Sequence, residues 1–178
     1  FMAPEIVRGE AKPTTESDLF SLAVLLFYML MMHHPLEGKK ESDIKAFDLP
    51  AMNKIYGLEP VFIFDPDNAT NRPVTGYHDN ASVYWPLYPQ FLRDLFTRAF
   101  TQGLNNSYQR VRESEWRTAM LRLRDSLVEC GYCHAENFAE PQTLDTQKIC
   151  WHCQKPFTLP MRLHIAKQVV MLNSNAQL

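Results

Sequence analysis

Four cysteines carry the clearest chemistry in this chain. They stand as Cys130-Gly131-Tyr132-Cys133 and Cys150-Trp151-His152-Cys153, two C-x-x-C knuckles with 16 residues between them. That spacing falls inside the window of zinc sites. Each knuckle folds into a tight turn that aims two thiolates at one metal, and two turns complete a tetrahedron with Zn–S distances of about 2.3 Å. Four sulfur ligands leave no open position, so the site predicted for Cys130, Cys133, Cys150 and Cys153 is structural. Its Zn2+ would supply folding energy to a segment with little core of its own.

Other readings of the same residues stay open at this level. Cys130 to His134 also matches the C-x-x-C-H haem-attachment pattern, which leaves the second knuckle unexplained. His134 or His152 in place of one sulfur is an alternative, as are redox or disulfide pairing. Trp151 and Phe157 read either as core or as an exposed contact patch. The segment 125–156 sets Asp125, Glu129, Glu136, Glu140 and Asp145 against Lys148 and Lys155. Phosphate binding needs a basic face, so no nucleic-acid partner is expected.

The elements that must position these residues show in the hydrophobic pattern. The 178 residues are 46% apolar and 21% charged, with a net charge of −2. This is ordinary for a globular protein and gives no electrostatic reason for a nucleic-acid or membrane partner. Leu22 to Met32 is apolar or aromatic throughout, too short for a membrane span, and no membrane segment is expected. A helix that is apolar all round belongs in the centre of a core, so a buried helix is predicted over 16–32, with Thr15 and Asp18 as its capping box. His33, His34 and Pro35 close it and read as the start of a loop. Lys39–Phe47 has room for a short helix, and Val61–Phe64 reads as a strand or a loop packed on the core. Amphipathic helices are predicted over 90–103, with Gly103 as a left-handed cap, and over 113–129. From Met161 onward, alternation and then the run Val169–Leu172 give strand signals.

With these elements in place the chain resembles a protein family. Ala3-Pro4-Glu5 is the tripeptide that ends the activation segment of protein kinases. Asp18-Leu19-Phe20-Ser21 then opens the apolar helix, as the Asp-x-Trp/Phe-Ser-x-Gly pattern does there. Gln109-Arg110-Val111 with Glu115-Trp116 is similar to the segment before the last helix of the kinase large lobe. The resemblance covers residues 1–129. Ala23 stands where the family has Gly and Val111 where it has Pro, and the Pro-rich stretch 59–89 looks long, all marks of a divergent member.

The resemblance implies a mainly α fold of kinase large-lobe helices, and the cysteine spacing a small β-rich zinc ribbon after them. Together they divide the chain into a partial kinase domain (1–129), a zinc-ribbon-like domain (130–157) and a β-rich tail (158–178). The tail reads as outer ribbon strands or the first hairpin of a further domain. The resemblance also implies a buried Glu5–Arg110 ion pair, and an Asp18 carboxylate that holds the catalytic-loop backbone. The parent would be a Ser/Thr kinase moving the γ-phosphate of ATP, with Mg2+, to protein hydroxyls. Its partners would be protein substrates or regulators and its location cytoplasmic, where thiols stay reduced. In family order the phosphate, metal and base residues precede the tripeptide, so no catalytic residue is assigned here, His33 and His34 included. The start at Phe1 reads as a cut through a longer chain. The competing expectations are a pseudokinase or adaptor scaffold, and a free-standing zinc-ribbon protein. The triplets at Asn68, Asn80 and Asn105 that fit the glycosylation pattern read as chance matches in a cytoplasmic chain.

Overall fold

The computed structural model describes residues 1–140, 147–165 and 168–171. Asp145, Leu172 and the end of the tail, on which parts of the sequence reading fell, lie outside the described residues. The chain is mainly α, with small antiparallel hairpins near its end. It divides into two compact units. The first is Phe1–Pro86 with Gln90–Trp116, and the second is Leu87–Pro89 with Arg117–Leu178. The division runs through a helix.

The first unit is built on α1 (Pro4–Val7), α2 (Thr15–Met31), α3 (Lys39–Ser42), α4 (Leu49–Asn53), α5 (Asp79–Tyr84), α6 (Gln90–Phe100) and α7 (Gln102–Asn105). Phe20, Phe27, Phe62, Phe96 and Phe100 are fully buried or nearly so. The Phe27 ring meets Phe96 at 5.2 Å and Phe100 at 5.7 Å, both edge to face. Each such pair adds about 0.5–1.5 kcal/mol beyond the area it buries. Val61–Phe64 is a loop packed on this core, with Phe62 and Ile63 fully buried and the Ile63 amide donating to the Pro35 carbonyl at 3.0 Å.

Three expectations for this unit are corrected. The capping box of α2 is Thr14 with Ser17, each accepting from the other's amide, one residue earlier than Thr15 and Asp18. A cap must be extended, and Thr14 is, with φ −138°, whereas Thr15 is already helical. Next, α2 is not buried all round. Phe20, Ala23, Val24, Phe27 and Met31 face the core, while Leu25, Tyr28, Met29 and Met32 are 44–66% exposed. Helices α5 and α6 pack against α2 while these four side chains stay in solvent, so apolar composition overstated the burial. Finally, α6 ends at Phe100, and Gly103 caps nothing: it is buried inside α7. There its carbonyl accepts from Arg110 Nε at 3.0 Å, and a Cβ would lie 3.3 Å from the Arg110 side chain.

A buried side chain ties the Pro-rich stretch to the segment before it. Buried Asn71 donates to the carbonyls of Leu36 (2.9 Å) and Val61 (2.7 Å) and accepts from the Lys40 amide (2.9 Å). Gly38 is needed beside it, because a Cβ there would sit 2.1 Å from the Asn71 carbonyl.

The helix that carries the chain from one unit to the next, α8, spans Glu113–Asp125. It stops four residues short of the predicted end. Ser126 caps it through Oγ to the Leu123 carbonyl at 2.7 Å. Leu127–Glu129 then turns extended as β1, because Glu136–Phe138 (β2) offers it an antiparallel partner. Local periodicity holds no record of that partner. In the second unit β3 (Gln147–Ile149) pairs with β4 (Pro156–Thr158), and β5 (Arg162–Ile165) pairs with β6 (Gln168–Met171). The strand signals of the tail therefore correspond to a hairpin.

Candidate functional site

The two cysteine knuckles are copies of one design at an offset of 20 residues. Strands β1 and β2 flank the first as β3 and β4 flank the second. In each, the first cysteine's amide closes the turn by donating: Cys130 to the Ala135 carbonyl and Cys150 to the Lys155 carbonyl, both at 3.0 Å. The residue after the second cysteine, His134 or Gln154, takes a left-handed conformation with φ near 60° and donates back to the first cysteine's carbonyl. In the sequence the repeat shows only as two C-x-x-C knuckles 20 residues apart; the matching strands and turn closures appear with the fold.

The turns bring all four sulfurs within 4.8 Å of one another. Cys130 Sγ lies 3.8 Å from Cys153 Sγ, and Cys133 Sγ 3.6 Å from Cys150 Sγ. A tetrahedron with Zn–S of about 2.3 Å has edges of about 3.8 Å, so the quartet fits one metal ion such as zinc. The cysteines are free thiols. Cys130 and Cys150 are fully buried, and the core around them is small: Val128, Ala139, Phe157 and Leu159. A metal bound there would supply a large share of the cohesion.

Four sulfurs this close cannot all ionise without a cation. The two cross-knuckle partners show it. Burial disfavours the Cys150 thiolate, but N–H donors from Cys153, Asn137 and His152 outweigh it and hold the thiol down at about 6. The Ala135 amide favours the Cys133 thiolate, but burial and the other three sulfurs push it up to about 12. A bound dication removes this opposition by favouring every thiolate at once.

Neither histidine joins the quartet. His134 is exposed and paired with Glu129, and His152 is exposed beside Trp151. Phe157 is core, at 7% exposure, whereas Trp151 lies half-buried with its Nε1 donating to the Glu136 carbonyl at 2.8 Å. Of the two lysines, Lys148 donates to the Phe138 carbonyl and Lys155 lies over the Tyr132 ring.

In the first unit, Ala3 is buried as the cap of α1 and Pro4 is buried at its first turn, the position where a missing N–H costs least. Glu5 and Arg110 meet across 105 residues of chain. Arg110 Nη1 and Nη2 donate to the two Glu5 oxygens at 2.8 and 2.9 Å. Nη1 also donates to the Glu16 carbonyl at 2.9 Å, and the guanidinium lies 5.4 Å from the centre of the Phe20 ring. Burial works against the Glu5 charge, but the Arg110 hydrogen bonds outweigh it and hold the carboxyl below its ordinary value. Asp18 is exposed in the first turn of α2, and its carboxylate has no partner among the described residues. His33 and His34 lie in the loop after α2, where His33 Nε2 bonds the Glu37 carbonyl and His34 Nδ1 accepts from the Leu36 amide. Beside them, a cavity of about 670 Å³ is lined by Phe1, Met2, Ile6, Leu36, Met52 and Tyr56 among others.

No helix among the described residues is long and apolar enough to cross a membrane. A scan against protein-family models, a search of curated proteins and a search of solved structures each return no match.

Proposed function

We propose that this chain is the back part of a Ser/Thr protein kinase large lobe with a structural zinc ribbon attached. The parent would transfer the γ-phosphate of ATP to protein hydroxyls. The observation that carries the reading is the Glu5–Arg110 pair. The resemblance required it from two short motifs far apart in sequence, and the two side chains meet in a two-pronged, largely buried contact. Two further features support it. The Asp18 carboxylate stands free at the head of α2, available to the catalytic-loop backbone it would hold. The cavity beside Phe1 and Met2 lies next to the tripeptide that ends the activation segment in kinases.

ATP and Mg2+ belong to the parent protein. Their ligands precede Ala3-Pro4-Glu5 in family order, so residues of this chain contribute position rather than chemistry: Arg110 and Glu5 anchor the segment end to the lobe, and Asp18 orients a loop. In the ribbon, Cys130, Cys133, Cys150 and Cys153 would hold Zn2+, which supplies cohesion and no reaction step.

The exposed stripe Leu25, Tyr28, Met29 and Met32 favours a second reading, a pseudokinase or adaptor scaffold that binds proteins through this lobe and ribbon. One experiment separates the two. A longer chain including the sequence ahead of Phe1 is assayed for transfer of labelled phosphate to protein substrates. Transfer onto Ser or Thr is the expected result. Binding without transfer favours the scaffold, and ATP turnover by the present chain alone would overturn the kinase reading.

A further inference from the structure

The two knuckles are copies, but their surroundings are not. Asn137 sits at the centre of β2 and is 3% exposed. The residue 20 positions on, at the matching place in β4, is Phe157. Asn137 Nδ2 donates to the Ala135 carbonyl at 2.9 Å and to Cys150 Sγ at 3.6 Å. Its Oδ1 accepts from the Trp151 amide at 3.2 Å. One buried side chain of the first half thus grips two consecutive residues of the second knuckle, and both of its N–H donors are used. Nothing of this kind is possible from Phe157, whose side chain has no polar atom, so the first knuckle receives no reciprocal side-chain bond from that position.

The chemistry of an N–H donor at a metal-bound sulfur is specific. It withdraws electron density from a thiolate and helps a centre with four negative sulfurs and one dication tolerate burial. It also fixes where the second knuckle stands before the metal closes the site. We infer that Asn137 is the positioning residue of the metal centre: it locks Cys150 and Trp151 to the first knuckle and lowers the electron density at the Cys150 sulfur. This rests on the reading that the four cysteines bind one metal ion.

The test uses the full chain loaded with Co2+, whose sulfur-to-metal charge-transfer band reports the electron density of the ligands. Asn137→Leu is compared with Phe157→Leu, the change at the matching position. Asn137→Leu is expected to move the band to longer wavelength and to weaken binding about 10–100-fold in competition with a chromophoric chelator. Phe157→Leu weakens binding through the core and leaves the band in place. Should Asn137→Leu fail to fold, Asn137→Ser carries the test, since it stays polar but is too short to bridge to Cys150. An unmoved band in the Asn137 variant overturns the inference, whatever happens to the affinity. A wild-type chain without a tetrahedral four-sulfur Co2+ spectrum overturns the metal reading itself.

Discussion

The two units reach stability by different means. The helical unit closes on interlocked phenylalanine rings, and its irregular stretch is stapled by one buried side chain, Asn71. The ribbon unit has short hairpins and a core in which cysteines stand beside only a few apolar side chains. A unit that small buries too little apolar surface to offset the entropy of ordering its chain. The contrast teaches that the same polypeptide relies on burial where there is volume to fill and, where there is not, sets four cysteines close enough to hold a metal ion. Each unit therefore has its own point of failure.

The largest expected effect is on the ribbon. Structural zinc contributes on the order of 10–16 kcal/mol to small cysteine-rich units. Strong chelation, or Cys150→Ser, should unfold the ribbon and leave the helical unit standing. Amide protection measured by hydrogen exchange checks this residue by residue; equal loss in both units would dissolve the distinction.

The next effect is confined to the helical unit. Arg110 is almost fully buried while Glu5 keeps about a quarter of its side chain exposed. Removing one partner of a buried pair costs about 3–5 kcal/mol. Glu5→Ala leaves the more buried charge alone and should be the costlier of the two single changes, compared with Arg110→Met. Thermal unfolding of both variants and of the double variant measures the coupling.

A smaller effect sharpens the comparison through pH. Burial foremost, and then the charge of His33, hold the His34 ring down at about 3, from an ordinary 6.5. The folded state thus resists a proton that the unfolded chain accepts below 6.5. The stabilisation is fully present above 6.5 and drains away as pH falls toward 3. Each pKa unit corresponds to about 1.4 kcal/mol, and local opening of the loop limits how much of this is lost. His34→Phe should flatten this part of the pH–stability curve of the helical unit in denaturant titrations; an unchanged slope would show that His34 is not its source.

Much of this could be read from the residues alone. The quartet was legible because C-x-x-C is a local turn, and two such turns of like kind have one common chemistry. The existence and rough extent of α2, α6 and α8 followed from apolar spacing, which is also local. Glu5, Asp18 and Arg110 were singled out by their motifs rather than by any physical signal, since a carboxylate and a guanidinium 105 residues apart carry no local mark of meeting.

What only the tertiary structure decided was settled by partners distant in sequence. The end of α8 was fixed by β2, which recruits Leu127–Glu129 into a hairpin. The exposed side of α2 was fixed by which elements pack on it, not by its composition. Gly103 was claimed by the approach of Arg110 rather than by a helix end. Asn71 and Asn137 look like ordinary polar residues in sequence, and burial alone makes one a staple and the other a grip on the second knuckle. Local preference sets turns and helical period, because those depend on neighbours in the chain. Burial and hydrogen-bond partners depend on neighbours in space, and only the folded chain determines them.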